Sequence, residues 1–439
     1  MKKVMLLWLV AGSLLLVACT PSANVPLPAH EKSLSVHELP NGLTITLKEQ
    51  HALPLVTIQF WIRVGSRNEP NGQQGIAHIF EHIWFKGTAT QPVGSFHRSV
   101  ESVGGELNAM TSHDWTMYFV TVPRDKFNVI FPLMVDLLKN PAFNETEIEK
   151  EKEVVTEEQR FQYNEPERYT DEQFGLLLLD SHPYRHPIIG YKDTILSQTK
   201  ETISSFYDTW YVPNNMNIVV AGDIDSDEIL QTVSAAFSDL APKELPAIDF
   251  PKEPPRTDVR YNSSFRNVGY AYSALGYIAP NARSPDKYPF IVLNTLFSVG
   301  DSSRMNRILK QEKEIIVRGN SVYAPLMDTG VFETLIVTEP EKRAQAIAEL
   351  LLQIQRLKTE PVTPQELARA KAVLLSGNLR SQEDLFQVGF DIGEAWVRGD
   401  LGDYTELETR VNAVTSADVQ RVAQNYFTQH TLYEVKPKP

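Results

Sequence analysis

The chain has 439 residues, of which 42% are hydrophobic and 22% charged, and its formal net charge is −13. One hydrophobic core rarely organises more than about 250 residues, so this length favours two or three domains. The excess of acid opposes binding to phosphate backbones, and no dense Lys/Arg cluster overrides it locally, so we expect no nucleic-acid partner.

The first 19 residues have the pattern of an export signal. Two lysines precede an apolar run from Val4 to Val17, which is shorter than the ~20 residues that span a membrane. The run leads to Cys19, the only cysteine of the chain, in an arrangement that resembles the bacterial lipobox. In that motif the cysteine is acylated and becomes the mature N-terminus. We therefore predict a lipoprotein signal peptide over 1–19, lipidation of Cys19 and a tether over 20–33.

The same segment predicts a location. Thr20 follows the cysteine and carries no acidic signal for retention in the inner membrane. We therefore expect a lipid-anchored protein of the bacterial cell envelope, on the periplasmic face of the outer membrane. The alternative is an ordinary signal segment with an incidental cysteine.

Hydrophobic periodicity and turn signals predict strands and helices after the tether. In chain order these are strands over Leu43–Leu47 and Val56–Val64, a helix after the turn-rich segment 65–75, a hairpin over Leu107–Val122 that turns at Ser112–Asp114, a helix over Lys126–Lys139, and a long helix from Asn144 towards Arg160.

A proline-rich stretch divides the chain into similar halves. Prolines disfavour both helices and central strands, so we predict a linker over 241–256. The N-terminal domain then covers 34–240 and the C-terminal domain 257–439.

The two halves show weak signs of an internal duplication. A strand, a helix and a proline follow one another in the same order in both halves. In the second copy Ala370 and Gly377 take the places of Glu151 and Glu158, so the scaffold repeats but the acids do not. The pattern predicts an α+β fold with two homologous domains, each a mainly antiparallel sheet packed with helices.

The segment Gly75–Gly87 reads GIAHIFEHIWFKG and carries a candidate metal motif. On a helix His78, Glu81 and His82 share one face, while apolar residues form another. Two imidazoles one turn apart can converge on one zinc ion, and the carboxylate between them is placed to reach a zinc-bound water, as in an inverted HExxH helix. A catalytic zinc with three protein ligands needs one further donor from elsewhere.

The acidic segment Glu149–Arg160 is the candidate source of that donor. Glu151 and Glu158 lie seven residues apart, on one face of a helix. A solvated acidic face is the ordinary explanation for any single glutamate there. Spacing alone does not choose between Glu157 and Glu158.

These motifs together resemble the insulinase/pitrilysin family of zinc metallopeptidases, most closely its half-length branch, which includes mitochondrial processing peptidase and bacterial homologues. The family has an HxxEH motif and, further along the chain, two glutamates that lie seven residues apart. Here Glu151 and Glu158 have that spacing, and Glu158 follows His82 by 158 − 82 = 76 positions. By that resemblance His78, His82 and Glu158 hold one Zn²⁺ per chain. Glu81 is the catalytic base, and Glu151 orients a ligand.

The resemblance runs from Leu34 to the C-terminus. In the family a Gly-Gly-x-x-Asn-Ala segment forms an edge strand that pairs with the substrate backbone, which makes Asn108 and Ala109 substrate-binding residues here. Further family-like segments are 40–42, 64–69, 85–88, 182–184, 211–216 and 222–223.

The second half departs from the family pattern. Active members need an Arg and a Tyr seven residues apart in a metal-free repeat, and Lys310 and Val317 stand at those positions. A valine cannot donate a hydrogen bond, and lysine lacks the planar guanidinium fork. We therefore expect a partner, a homologous subunit that carries the Arg/Tyr pair. The alternative is a homodimer in which Arg318, Tyr323 or another group takes over the role.

The sequence thus predicts a zinc-dependent endopeptidase that hydrolyses peptides or unfolded polypeptides, as the catalytic subunit of a heterodimer. The alternatives are a non-catalytic membrane-anchored peptide-binding or scaffold subunit and a chance zinc-like helix in an unrelated lipoprotein.

Overall fold

The computed structural model describes residues 34–254 and 256–439, and these form one compact unit. The predicted signal peptide, Cys19 and the tether lie outside the described residues. No helix in the described part of the chain is both long and apolar enough to cross a membrane.

Each half contains both strands and helices. The strands are β1 (Leu34–Glu38), β2 (Thr44–Glu49), β3 (Leu55–Ile62), β4 (Glu106–Thr111), β5 (Thr116–Pro123), β6 (Met216–Gly222), β7 (Arg260–Arg266), β8 (Ala271–Ala279), β9 (Arg318–Pro325), β10 (Gly330–Thr338) and β11 (Thr431–Pro437). The helices are α1 (Ile76–Trp84), α2 (Ser95–Ser102), α3 (Phe127–Lys139), α4 (Glu145–Asn164), α5 (Pro166–Leu178), α6 (Lys192–Ser197), α7 (Lys200–Trp210), α8 (Ser226–Phe237), α9 (Lys287–Ser298), α10 (Arg343–Thr359), α11 (Pro364–Ser381), α12 (Leu385–Arg398), α13 (Gly402–Thr405), α14 (Leu407–Ala413) and α15 (Ser416–Tyr426).

The N-terminal sheet has the strand order β1-β2-β6-β3-β5-β4. All its pairs are antiparallel except β2 with β6. The central strand β3 is buried along almost its whole length, which explains its long apolar run. Strand β4 lies at one edge, so its outer backbone groups are not paired within the sheet.

The C-terminal sheet has the order β7-β11-β8-β10-β9, with one parallel pair, β7 with β11. Apart from β1, this order matches the N-terminal sheet strand by strand, and the parallel pair falls at the same place. The predicted fold, two α+β repeats built on mainly antiparallel sheets, is therefore confirmed.

The two halves exchange helices. Helix α5 of the N-terminal half packs on β8 and β11 of the C-terminal sheet, and α12 of the C-terminal half packs on β3 and β6. The contact of α12 is close, since a Cβ on Gly393 would lie 2.0 Å from the ring of Trp61. This exchange explains why the halves form a single compact unit.

Several predicted elements are confirmed with small shifts at their ends. The hairpin forms from β4 and β5, and the predicted long helix is α4, with Asn144 Oδ1 accepting the N–H of Glu147 at its start (3.2 Å). The predicted linker has no helix or strand in its described residues.

Candidate metal centre

Helix α1 is fixed at its start and along its inner face. The Glu69 carboxylate accepts the N–H groups of Gly75 and Ala77 (3.0 Å each), so two donors of the first turn are satisfied. Burial, opposed in part by these bonds, raises the pKa of Glu69 to about 8. The residues of the inner face that are buried in the sheet core are Ile76, Ile79, Phe80 and Ile83.

The opposite face of α1 presents His78 and His82 to α4. The Nε2 atoms of His78 and His82 lie 3.9 and 3.7 Å from Oε2 of Glu158. One donor atom from each residue lies within 4.8 Å of the others, and no other such trio of His, Cys, Asp or Glu occurs among residues 34–254 and 256–439.

This trio fits a zinc ion. The separations of 3.7 and 3.9 Å are too long for direct hydrogen bonds. Ligands about 2.1 Å from one tetrahedral ion lie about 3.4 Å apart, so both distances from Glu158 exceed that spacing by only a few tenths of an ångström. Burial, with a smaller contribution from His82, lowers the pKa of His78 to about 3, which keeps this ring neutral as a metal ligand must be.

Glu151 holds the second histidine from behind. Its Oε2 lies 3.1 Å from Nδ1 of His82, and its Oε1 lies 2.7 Å from Nζ of Lys86. A proton on Nδ1 that is donated to Glu151 leaves Nε2 with a free lone pair towards Glu158. Although burial alone would lower the pKa of His82, the bond to Glu151 and the nearby carboxylates raise it overall.

Glu81 lies beside the trio and is bonded to the edge strand β4. Thr111 on β4 donates its hydroxyl to Oε2 of Glu81 (2.5 Å). Burial, opposed by this hydrogen bond, raises the pKa of Glu81 above its ordinary value. A buried carboxylate with one fixed oxygen is suited to accepting a proton.

The predicted substrate strand is β4, the free edge of the sheet next to Glu81. The N–H of Ala109 donates to Oδ1 of Asn108 (2.9 Å), and the Asn108 side chain is exposed. A pocket of ≈ 250 Å³ opens between this strand and α1. The residues that line it are Glu81, His82, Phe85, Lys86, His97, Leu107, Asn108 and Glu151.

The two residues that stand in place of the family's Arg/Tyr pair are exposed to solvent. Lys310 is exposed, and Val317 is 39% exposed. Arg318 forms an ion pair with Glu167 across the two halves. The hydroxyl of Tyr323 donates to a backbone carbonyl 2.7 Å away. Arg318 and Tyr323, the two candidates to replace the Arg/Tyr pair, therefore both have partners within the chain.

Three histidines outside the trio contact other side chains. His182 is buried with Nε2 3.3 Å from Asp328, and His186 contacts the hydroxyl of Tyr191 (2.9 Å). Nδ1 of His113 lies 2.7 Å from the Ser66 hydroxyl.

Sequence reasoning missed three residues that complete the site: Glu69, Thr111 and Lys86. Lys86 had a readable signal, since it follows His82 by four residues and so falls on the same side of the helix end. Thr111 had none, because its contact depends on how β4 lies against α1.

The chain resembles known proteins over nearly its whole length. A profile of insulinase (peptidase family M16) matches residues 44–183, and one of the peptidase M16 inactive domain matches residues 197–374. The chain is 29% identical over 436 residues to the zinc protease PqqE of Helicobacter pylori, with 97% of each chain covered. It is 28% identical over 406 residues to the mitochondrial-processing peptidase subunit beta of Lentinula edodes, covering 89% of this chain and 87% of that one. The crystal structure of a protease from Helicobacter pylori matches with a TM-score of 0.88 at 27% identity, covering 92% of this chain and 99% of that one.

Proposed function

The chain belongs to the insulinase family of zinc peptidases, in its half-length branch, and we propose that it acts as a zinc-dependent endopeptidase on peptides or unfolded polypeptides. The observation that carries this proposal is the convergence of His78, His82 and Glu158, with Glu81 beside them. A structural role alone would not require a buried carboxylate next to three such donors.

The proposed chemistry divides between the metal and the chain. Zn²⁺ held by the three donors would polarise the scissile carbonyl and make the attacking water more acidic. Glu81 accepts the proton of that water and passes it to the leaving amine. Thr111 holds one oxygen of Glu81 in place, and burial makes this carboxylate a stronger base than an exposed one.

Substrate binding is proposed at β4. An extended peptide that adds to a free sheet edge is held by backbone hydrogen bonds, which select for flexibility rather than for each side chain. The contact between Thr111 and Glu81 places this edge next to the base. Ala109 would contribute the pairing N–H once the Asn108 side chain releases it, and the exposed Asn108 side chain would then contact the substrate from the same edge.

We also propose that this chain is the catalytic subunit of a heterodimer. The relative from Lentinula edodes is named as one subunit of a peptidase, and Lys310 and Val317 leave this chain without the Arg/Tyr pair. Arg318 and Tyr323 are held by other partners, which favours a second, homologous subunit over a homodimer.

The test compares the purified chain alone with the chain plus a homologous subunit that carries an intact Arg/Tyr pair. Zinc content and hydrolysis of an unfolded polypeptide are measured in both. We expect zinc in both samples and a gain of about a hundredfold or more in rate with the partner, the usual contribution of aligned donors at a developing oxyanion. Replacing the partner's Arg and Tyr is the control and should remove the gain without changing the zinc content.

Two other results would change the proposal. Full activity of partner-free protein would favour the homodimer. Peptide binding without hydrolysis, even with the partner, would support the non-catalytic peptide-binding subunit.

For location we propose a lipid anchor on Cys19 and a site on the periplasmic face of the outer membrane. The support is the sequence alone: an apolar run that ends in a lipobox-like pattern, with Thr20 behind the cysteine. Cys19→Ser should abolish labelling by a fatty-acid analogue and release the protein from the membrane fraction. Unmodified parent protein in the cytoplasm would contradict this proposal.

A further inference from the structure

Lys86 lies behind the metal centre, in contact with Glu151. Its Nζ lies 2.7 Å from Oε1 of Glu151, while the other oxygen of that carboxylate contacts Nδ1 of His82 (3.1 Å). Both side chains of the ion pair are largely shielded, with 26% of Lys86 and 9% of Glu151 exposed. The three side chains therefore form a continuous line from Lys86 to the ring of His82.

The backbone places Lys86 at this point for identifiable reasons. Helix α1 ends at Trp84, and the N–H of Lys86 still bonds the carbonyl of Ile83 (2.9 Å). A cation is favoured there because the end of a helix carries partial negative charge. Gly87 then turns the chain with φ +88°, and a Cβ at that position would meet the carbonyl of Gln91 at 2.3 Å. The position of Lys86 is thus fixed by the turn rather than by chance rotation of a surface side chain.

The charges of the site show what Lys86 supplies. Glu81, Glu151 and Glu158 bring three carboxylates to one place, so with a divalent ion their formal sum is +2 − 3 = −1. Lys86 brings the sum to zero. Without this cation, Glu151 would lose the partner that holds one of its oxygens, and repulsion from the other carboxylates would favour its rotation away from His82.

We propose that Lys86 is a positioning residue of the metal centre, which holds the Glu151 carboxylate so that His82 keeps the ring orientation and tautomer required for binding zinc. This inference rests on the proposed zinc site. Lys86 is not a ligand, since an ammonium group has no lone pair. It acts through Glu151, and partners of that kind commonly change metal affinity by about 10–100-fold.

The experiment measures the dissociation constant of Zn²⁺ by competition with a chromophoric chelator, for the parent chain and its variants. Lys86→Met keeps the length of the side chain and removes the charge, and we expect it to weaken zinc binding about tenfold or more. Lys86→Arg keeps the cation and should restore binding to within a few-fold of the parent. The matched control is Lys150→Met on α4, which removes a lysine from an exposed pair with Glu147 and should leave the affinity unchanged.

A second comparison tests whether Lys86 acts through Glu151. In a Glu151→Gln background the further change Lys86→Met should have little effect on zinc affinity, because the carboxylate that Lys86 holds is gone. The absorption spectrum of the Co²⁺ form gives a readout independent of activity, and the melting temperature of metal-free protein checks that each variant folds. Lys86→Gln serves if Lys86→Met does not fold.

The outcomes separate this inference from the proposed function. If the parent chain itself binds no zinc, the proposed zinc peptidase is wrong. If the parent binds zinc and Lys86→Met binds it equally well, only the role of Lys86 is wrong. An equal loss with and without Glu151 would also overturn it, since Lys86 would then act by another route.

Discussion

Replacing the catalytic base tests the proposed mechanism most directly. In Glu81→Gln the amide oxygen can still accept the hydroxyl of Thr111, now 2.5 Å from Oε2, and the volume is unchanged. The three metal donors are other residues, so zinc should stay bound. The amide cannot take a proton from water, and general-base catalysis commonly contributes about 10²–10⁴-fold. At about 1.4 kcal/mol per tenfold, this loss corresponds to about 3–6 kcal/mol of transition-state stabilisation.

The assay is kcat/KM for a quenched fluorescent peptide, measured with the activating partner present, together with zinc content and melting temperature. The matched control is Glu157→Gln on α4. The Glu157 side chain is 57% exposed and pairs with Arg160 (2.5 Å), so the control should keep full activity. Equal activity of Glu81→Gln and the parent would refute Glu81 as the base. A loss of activity that follows a loss of zinc would show that the variant had damaged the metal site instead.

Three further predictions follow from the same contacts. Glu158→Gln should lose zinc, since it removes the one anionic ligand, whereas Glu157→Gln should keep it; the reverse result would show that the wrong glutamate was chosen. For Asp136, burial would raise the pKa, but hydrogen bonds led by Gln91 hold it at about 2. Because the pKa of Asp136 is lower in the folded than in the unfolded chain, its carboxylate stabilises the fold at pH values above its unfolded pKa. This contribution is lost as the pH falls towards 2, so the difference in unfolding free energy between the parent and Asp136→Asn should shrink between pH 4 and pH 2. Gly393→Ala should lower the unfolding free energy by about 1–3 kcal/mol because its methyl group would meet a buried indole, while Gly377→Ala, with open space around it, should be neutral or stabilising; equal effects of the two would contradict the packing argument.

The metal helix was predictable because two periodic patterns agree within it. An apolar stripe fixes which side of α1 meets the sheet, and the chemical residues His78, Glu81 and His82 then fall on the remaining side. The hairpin of β4 and β5 was predictable for a similar reason, since its turn lies between two alternating runs. In these segments local preference and tertiary packing require the same arrangement.

The exchange of α5 and α12 between the halves was not predictable from periodicity. An amphipathic pattern shows that a helix has one face to bury, but it does not identify the sheet that covers this face. Close packing of Gly389 and Gly393 against Gln59 and Trp61 decides the partner of α12, and such contacts join residues more than 300 positions apart. A single sequence carries no signal for them.

The choice between Glu157 and Glu158 also depends on tertiary contacts that the sequence pattern does not show. The helical repeat fixes the angle between the two side chains around the axis of α4. It does not fix which of them faces the histidines, because the rotation of α4 about its axis depends on its contacts with α1 and α6. These contacts turn Glu158 towards the histidines and leave Glu157 in solvent with Arg160. The family resemblance chose Glu158, and the geometry is consistent with that choice.

The C-terminal repeat indicates how the metal centre relates to the scaffold. Helix α9 and edge strand β9 are joined by a hydrogen bond from Ser321 to Asn294 (2.6 Å), as α1 and β4 are joined by Thr111 and Glu81. The repeat therefore keeps a polar bridge between helix and edge strand with no trio of metal donors of its own among its described residues. Since the same sheet order forms around both helices, the scaffold does not depend on the candidate metal donors of the N-terminal repeat, and their replacement should change metal binding and catalysis more than folding.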